Sequence, residues 1–149
     1  MKKTKQNRYL FRGTTLGWDG NDANRELPRT SVTTHPVKAV LFALCCIQNN
    51  RVVYINTIDN LAGVAEDKNV LAPIENEIVF EIQPARYAET CVGYLPVEDA
   101  IKILKELNIE IPQLLDRTLF DMALKDVKKV SATTVEQFYE SAKQYLKKA

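Results

Sequence analysis

Residues 74–82 read IENEIVFEI, and this stretch decides the fold because it sets two carboxylates at the mouth of a strand. Ile78, Val79, Phe80 and Ile82 are β-branched or aromatic and nearly continuous, the pattern of a strand covered on both faces. Glu75 and Glu77 stand two apart, and in an extended chain such residues point to the same side. The expectation is a buried strand that aims both acids into one small volume. Such a pair suits stabilisation of positive charge or proton handling. It also suits a solvated loop before a strand, so the choice falls to the segments upstream.

Residues 8–11 (RYLF) form a short strand that exits at Arg12-Gly13, and residues 16–24 (LGWDGNDAN) carry turn chemistry around Trp18, read as an aromatic that closes the loop onto the core. TSVTT at 30–34 is a strand edge lined with hydroxyls. His35-Pro36 then starts a helix, proline being suited to the first turn, and Val37, Val40, Leu41, Leu44, Cys45 and Ile47 make its buried face. That helix ends at Asn49-Asn50, RVVYINTI at 51–58 is a strand, and 59–73 is a loop leading to the two acids.

Downstream, 84–96 is mixed with an edge strand around 90–94. Apolar residues at 97, 100, 101, 104 and 107 predict a helix over 97–109. A weaker helix covers 114–127. Thr134-x-x-Gln137 reads as a capping box opening a C-terminal helix whose stripe is Val135, Phe138, Tyr139, Ala142, Tyr145 and Leu146, large enough to dock on the domain. Strands and helices segregate by region, which favours an α+β fold over a doubly wound sheet.

The 149 residues fit one domain, 1–149, with a core that needs no disulfides. A formal net charge of +1 argues against a non-specific polyanion binder. Cys45, Cys46 and Cys91 form no even framework, so a reduced cytoplasmic chain is expected. Cys45-Cys46 reads as core packing, because neighbours on a helix point about 100° apart. With His35 the only histidine, no metal site is expected. The basic head at 1–8 is followed by an apolar run broken at Arg12, and no stretch reads as an export signal or a membrane span.

Three segments in order resemble the mono-ADP-ribosyltransferases of the Arg-Ser-Glu class: YLFRG at Tyr9–Gly13, SVTTHPVKAVLFA at Ser31–Ala43, and ENEIVFEI at Glu75–Ile82. The family pattern is an aromatic strand ending in Arg-Gly, a Ser-Thr-Ser strand entering a helix, and Glu-x-Glu or Gln-x-Glu opening an apolar strand. Here Val32 replaces the central threonine and Thr33 the final serine. The resemblance covers about the first 85 residues. It implies a split, mixed β-sheet core of the ADP-ribosyltransferase type with flanking helices, and NAD as co-substrate.

The resemblance also implies roles. Arg12 would hold the phosphates of NAD, for which a guanidinium fork is suited, and the Gly13 backbone would lie against the nicotinamide carboxamide. Ser31, and Thr33 beside it, would complete the NAD-binding set, with Ser31 bracing Glu77. Glu77 would stabilise the oxocarbenium-like ribose, and Glu75 would orient or deprotonate the acceptor. Glu-x-Glu resembles the arginine-modifying branch, so a protein acceptor is favoured, with nucleic acid left open. Two alternatives stand: an NAD glycohydrolase with water as acceptor, and an inactive domain of this fold that binds a partner protein. His35 is read as a surface residue at a helix start or a contact to the adenosine side, and the final lysines as charges at a helix C-terminus.

Overall fold

The sheet is built around its central strand, β1 (Tyr9–Thr15), whose residues are almost all buried. In the computed structural model, which describes residues 9–16, 29–45, 50–67, 76–111 and 120–148, the chain continues through β2 (Thr30–Thr33), α1 (Pro36–Leu44) and β3 (Arg51–Thr57). A 3-10 turn at Ile58–Leu61 follows, then β4 (Glu77–Phe80), α2 (Pro84–Thr90), β5 (Gly93–Pro96), α3 (Val97–Glu106), α4 (Phe120–Asp126) and α5 (Ala132–Ala142). The five strands lie in the order β4-β2-β1-β3-β5.

The class is α+β, as expected, but every pairing is antiparallel, not mixed. The reason is where α1 delivers the chain. It carries β2 over β1 to β3, so β1 lies between the two strands that a crossover would otherwise pair in parallel, and each pairs with β1 instead.

Alternation along β1 divides the core. Tyr9 and Phe11 face α1, α3 and α5 in a cluster with Val37, Val40, Leu104 and Phe138, while Leu10 faces the other way into a cluster with Val32, Leu61, Phe80 and Tyr87. The C-terminal helix docks through this first cluster. Phe138 is fully buried with its ring edge-on to Phe11, Tyr139 stacks on Tyr9 at 4.3 Å between centroids, and Tyr9 donates to Glu136 at 2.9 Å.

Gly13 lies within β1, so Arg12-Gly13 is no strand exit. A Cβ at Gly13 would stand 1.8 Å from the Ala39 carbonyl oxygen and 2.7 Å from the Ala43 nitrogen. Close approach of α1 therefore accounts for this glycine. Gly93 does the same for the chain end: a Cβ there would meet the Lys147 carbonyl oxygen at 2.7 Å, where Lys147 and Tyr94 exchange main-chain hydrogen bonds of 2.9 Å. Lys147 thus adds a bridge to the edge of β5 and is not a charge on a helix terminus. Tyr145, placed on the buried stripe by its spacing, is 54% exposed.

Several boundaries differ from those expected. α5 starts earlier: Ser131 is its cap, accepting from the Thr134 N–H at 3.0 Å, and the Thr134-x-x-Gln137 box is not used. α2 falls in the stretch read as mixed, and the proline at its first position was the available signal. The edge strand lies at Gly93–Pro96, a little after 90–94. Asn108 has a φ of 60°, a left-handed turn just beyond α3. β4 is shorter than 74–82 and stands at the sheet edge, where residues 65–67 cover it: Asp67 N–H donates to Val79 and Glu81 N–H to Ala65, both at 2.8 Å. Trp18, Cys46 and Ile47 lie outside the described residues, as do 114–119 of the weaker helix. Among the described residues no helix is long and apolar enough to cross a membrane.

Candidate functional site

The sheet opens between β1 and β2. β1 and β3 pair without a break from Tyr9↔Thr57 to Thr15↔Arg51, and β2 and β4 from Thr30↔Phe80 to Thr33↔Glu77, whereas β1 and β2 share only Phe11↔Thr33. Past that pair a side chain links the two strands: Arg12 Nη1 donates to the Ser31 carbonyl at 2.9 Å. Ser31 in turn donates its hydroxyl to Glu77 Oε2.

Register explains the second contact. Thr33 is opposite Glu77 and Ser31 opposite Val79, so Ser31 and Glu77 are diagonal neighbours on one face, within reach of a long side chain. Ser31 is the hub: its carbonyl takes Arg12, which by alternation lies on the Leu10, Tyr87 and Cys91 face of the sheet, and its hydroxyl takes Glu77 on the other face. All three residues are half-buried.

Thr33 behaves differently. It is 1% exposed, and its Oγ1 accepts from the His35 N–H at 3.1 Å, so this hydroxyl serves the entry to α1. Glu75 lies outside the described residues. Asn76 before Glu77 has a φ of 51°, in the left-handed region, and β4 begins at Glu77.

Asn76 and Lys38 were not singled out from sequence. Lys38 Nζ donates to Asn76 Oδ1 at 2.7 Å, and Thr34 N–H donates to the Asn76 carbonyl at 3.2 Å. The signals were there: a lysine inside the apolar run PVKAVLFAL, and asparagine, a residue that tolerates left-handed backbone, directly before a strand.

His35 is buried, not on the surface. Its Nδ1 accepts from the Val37 N–H at 3.2 Å, capping α1, so the neutral ring carries its proton on Nε2, which donates to the Lys128 carbonyl at 2.9 Å. Burial, opposed by that carbonyl and reinforced by the Lys38 charge, lowers its pKa below 6.5. Between the lowered folded pKa and 6.5 the unfolded chain binds more protons, so stability is full above pH 6.5 and falls as pH drops through that window. Urea unfolding should show a fall of up to about 1.4 kcal/mol per pH unit there. His35→Asn, which preserves a capping oxygen, should remove that component. Identical pH slopes in the two proteins would refute the assignment.

On the opposite face of the sheet, Cys91 donates weakly to the Tyr87 carbonyl at 3.5 Å, and burial pushes its thiol up to about 12 despite the Tyr87 side chain and the Arg12 charge. This is a packing cysteine, not a nucleophile. A cleft of about 1130 Å³ opens elsewhere, between Lys105, Asn108, Glu110 and residues 126–130, and includes none of Arg12, Ser31 and Glu77. Its charges are mixed, with Lys105, Lys128 and Lys129 beside Glu110 and Asp126. Among the described residues no group of metal-ligating side chains gathers. The chain matches no family model, no curated protein and no solved structure.

Proposed function

We propose that this chain is an NAD-dependent mono-ADP-ribosyltransferase that cleaves the nicotinamide–ribose bond and transfers ADP-ribose to a macromolecular acceptor, protein with arginine favoured. One observation carries the reading: Arg12, Ser31 and Glu77, singled out by resemblance from segments far apart in sequence, are joined through Ser31 at the opening of the sheet. The groups also fit NAD in kind, with a guanidinium suited to the diphosphate and a carboxylate suited to a sugar that becomes cationic.

As the bond breaks, its electron pair leaves with nicotinamide and positive charge grows on the ribose. Glu77 faces that charge. Two unit charges 4 Å apart interact by about 4 kcal/mol at an effective dielectric near 20, which is the scale a half-buried carboxylate contributes. Ser31 holds the carboxylate in one orientation, so little reorganisation is needed as charge develops. Arg12 anchors the diphosphate, and the acceptor nucleophile bonds the ribose carbon and gives its proton to Glu75 or to water. Glu75 is proposed to orient that nucleophile. With water as acceptor the same residues give NAD hydrolysis.

The purified protein should bind NAD. Ligand at 100 Kd stabilises the folded state by about 2.7 kcal/mol, which for a chain of this size raises the Tm by on the order of 5–10 °C. Arg12→Ala should abolish the rise. An unchanged melt at millimolar NAD with no heat of binding by calorimetry would overturn the reading. Nicotinamide release, measured beside label transfer in a lysate treated separately with protease and nuclease, would then separate hydrolysis from transfer and identify the acceptor class.

A further inference from the structure

Lys38 is 8% exposed in a helix whose other residues are apolar. An ammonium withdrawn from water is costly unless it is partnered, and Lys38 reaches out of α1 to Asn76 Oδ1 at 2.7 Å. Asn76 is held twice, by this bond to its side chain and by Thr34 N–H on its carbonyl at 3.2 Å, while its φ is 51°. Asparagine tolerates this left-handed backbone better than other side chains do, and the conformation persists when its surroundings over-determine it. The next residue is Glu77. Its diagonal placement on Ser31 depends on the register in which β4 begins, and a slip by one residue would turn Ile78 toward Ser31 instead.

We propose that Lys38 is a positioning residue for Glu77: by clamping Asn76 in its left-handed conformation it sets the start of β4, and so the orientation of the carboxylate against Ser31. This assignment rests on the reading of Glu77 as the residue that faces the ribose. In this role Lys38 acts through Asn76.

The test uses Lys38→Met, which retains length without charge, and the double variant Lys38→Met/Asn76→Gly, in which glycine adopts positive φ with no clamp. Nicotinamide release by Lys38→Met should show kcat reduced about tenfold or more, with KM for NAD within about threefold of wild type. The double variant should recover to within about threefold of wild-type kcat, because the clamp is no longer needed. In parallel, amide exchange at Thr34, whose N–H bonds Asn76, should quicken in Lys38→Met and slow again in the double variant. Unchanged kcat in the single variant, a rise in KM alone, or no recovery in the double variant would each overturn the proposal. If the wild-type protein turns over no NAD, the reading of function fails on its own, and the exchange measurements still decide the clamp: unaltered Thr34 exchange in Lys38→Met overturns it.

Discussion

Glu77→Gln is expected to lower kcat for nicotinamide release by about 10²–10³-fold and to reduce ADP-ribosyl transfer by the same factor. The substitution preserves shape and can still accept from the Ser31 hydroxyl, which meets Glu77 across the β2–β4 ladder. What it removes is the negative charge that would face the ribose as the bond to nicotinamide breaks. Because that charge matters more in the transition state than in the bound ground state, the loss should appear in kcat, with KM little altered. The two assays should fall together, since both reactions pass through the same cleavage. Retention of either activity by a folded Glu77→Gln protein would remove the carboxylate from the chemistry, and with it the proposed function.

Gly13→Ala should destabilise the protein by about 3 kcal/mol or prevent folding, lowering the Tm by on the order of 10 °C. The added methyl carbon would stand 1.8 Å from the Ala39 carbonyl oxygen and 2.7 Å from the Ala43 nitrogen. Both are main-chain atoms of α1, so no rotamer relieves the clash, and the helix has to lift off β1 and β3. Val37, Val40 and Ala43, all fully buried, would lose packing with it. A melt within about 2 °C of wild type would show that α1 yields at little cost. The variant also guards against a false inference, because activity lost in Gly13→Ala follows from the fold and says nothing of a ligand at that backbone.

Local pattern carried much of the fold. The apolar spacing of α1 and α3, the β-branched run of β3 and the stripe of α5 were legible because each reports the dihedral period of one segment, 3.6 or 2 residues. Caps and ends were less so. Ser131 displaced the Thr134 box, and β1 ran on through Arg12 and Gly13, because a glycine that admits a helix looks in sequence like one that makes a turn.

The sequence by itself determined an α+β chain and named Arg12, Ser31 and Glu77 through an ordered set of motifs. Only the tertiary structure decided that these three meet, since strand adjacency is a non-local pairing that no periodicity encodes. It decided too that Thr33 serves the entry to α1, that His35 is a buried cap, and that Asn76 before Glu77 is left-handed. The last is the plainest case. Residues two apart share a side only while the residue between them is extended, and the φ of Asn76 accompanies bonds from Lys38 and Thr34, distant in sequence and adjacent only once α1 and β2 have packed.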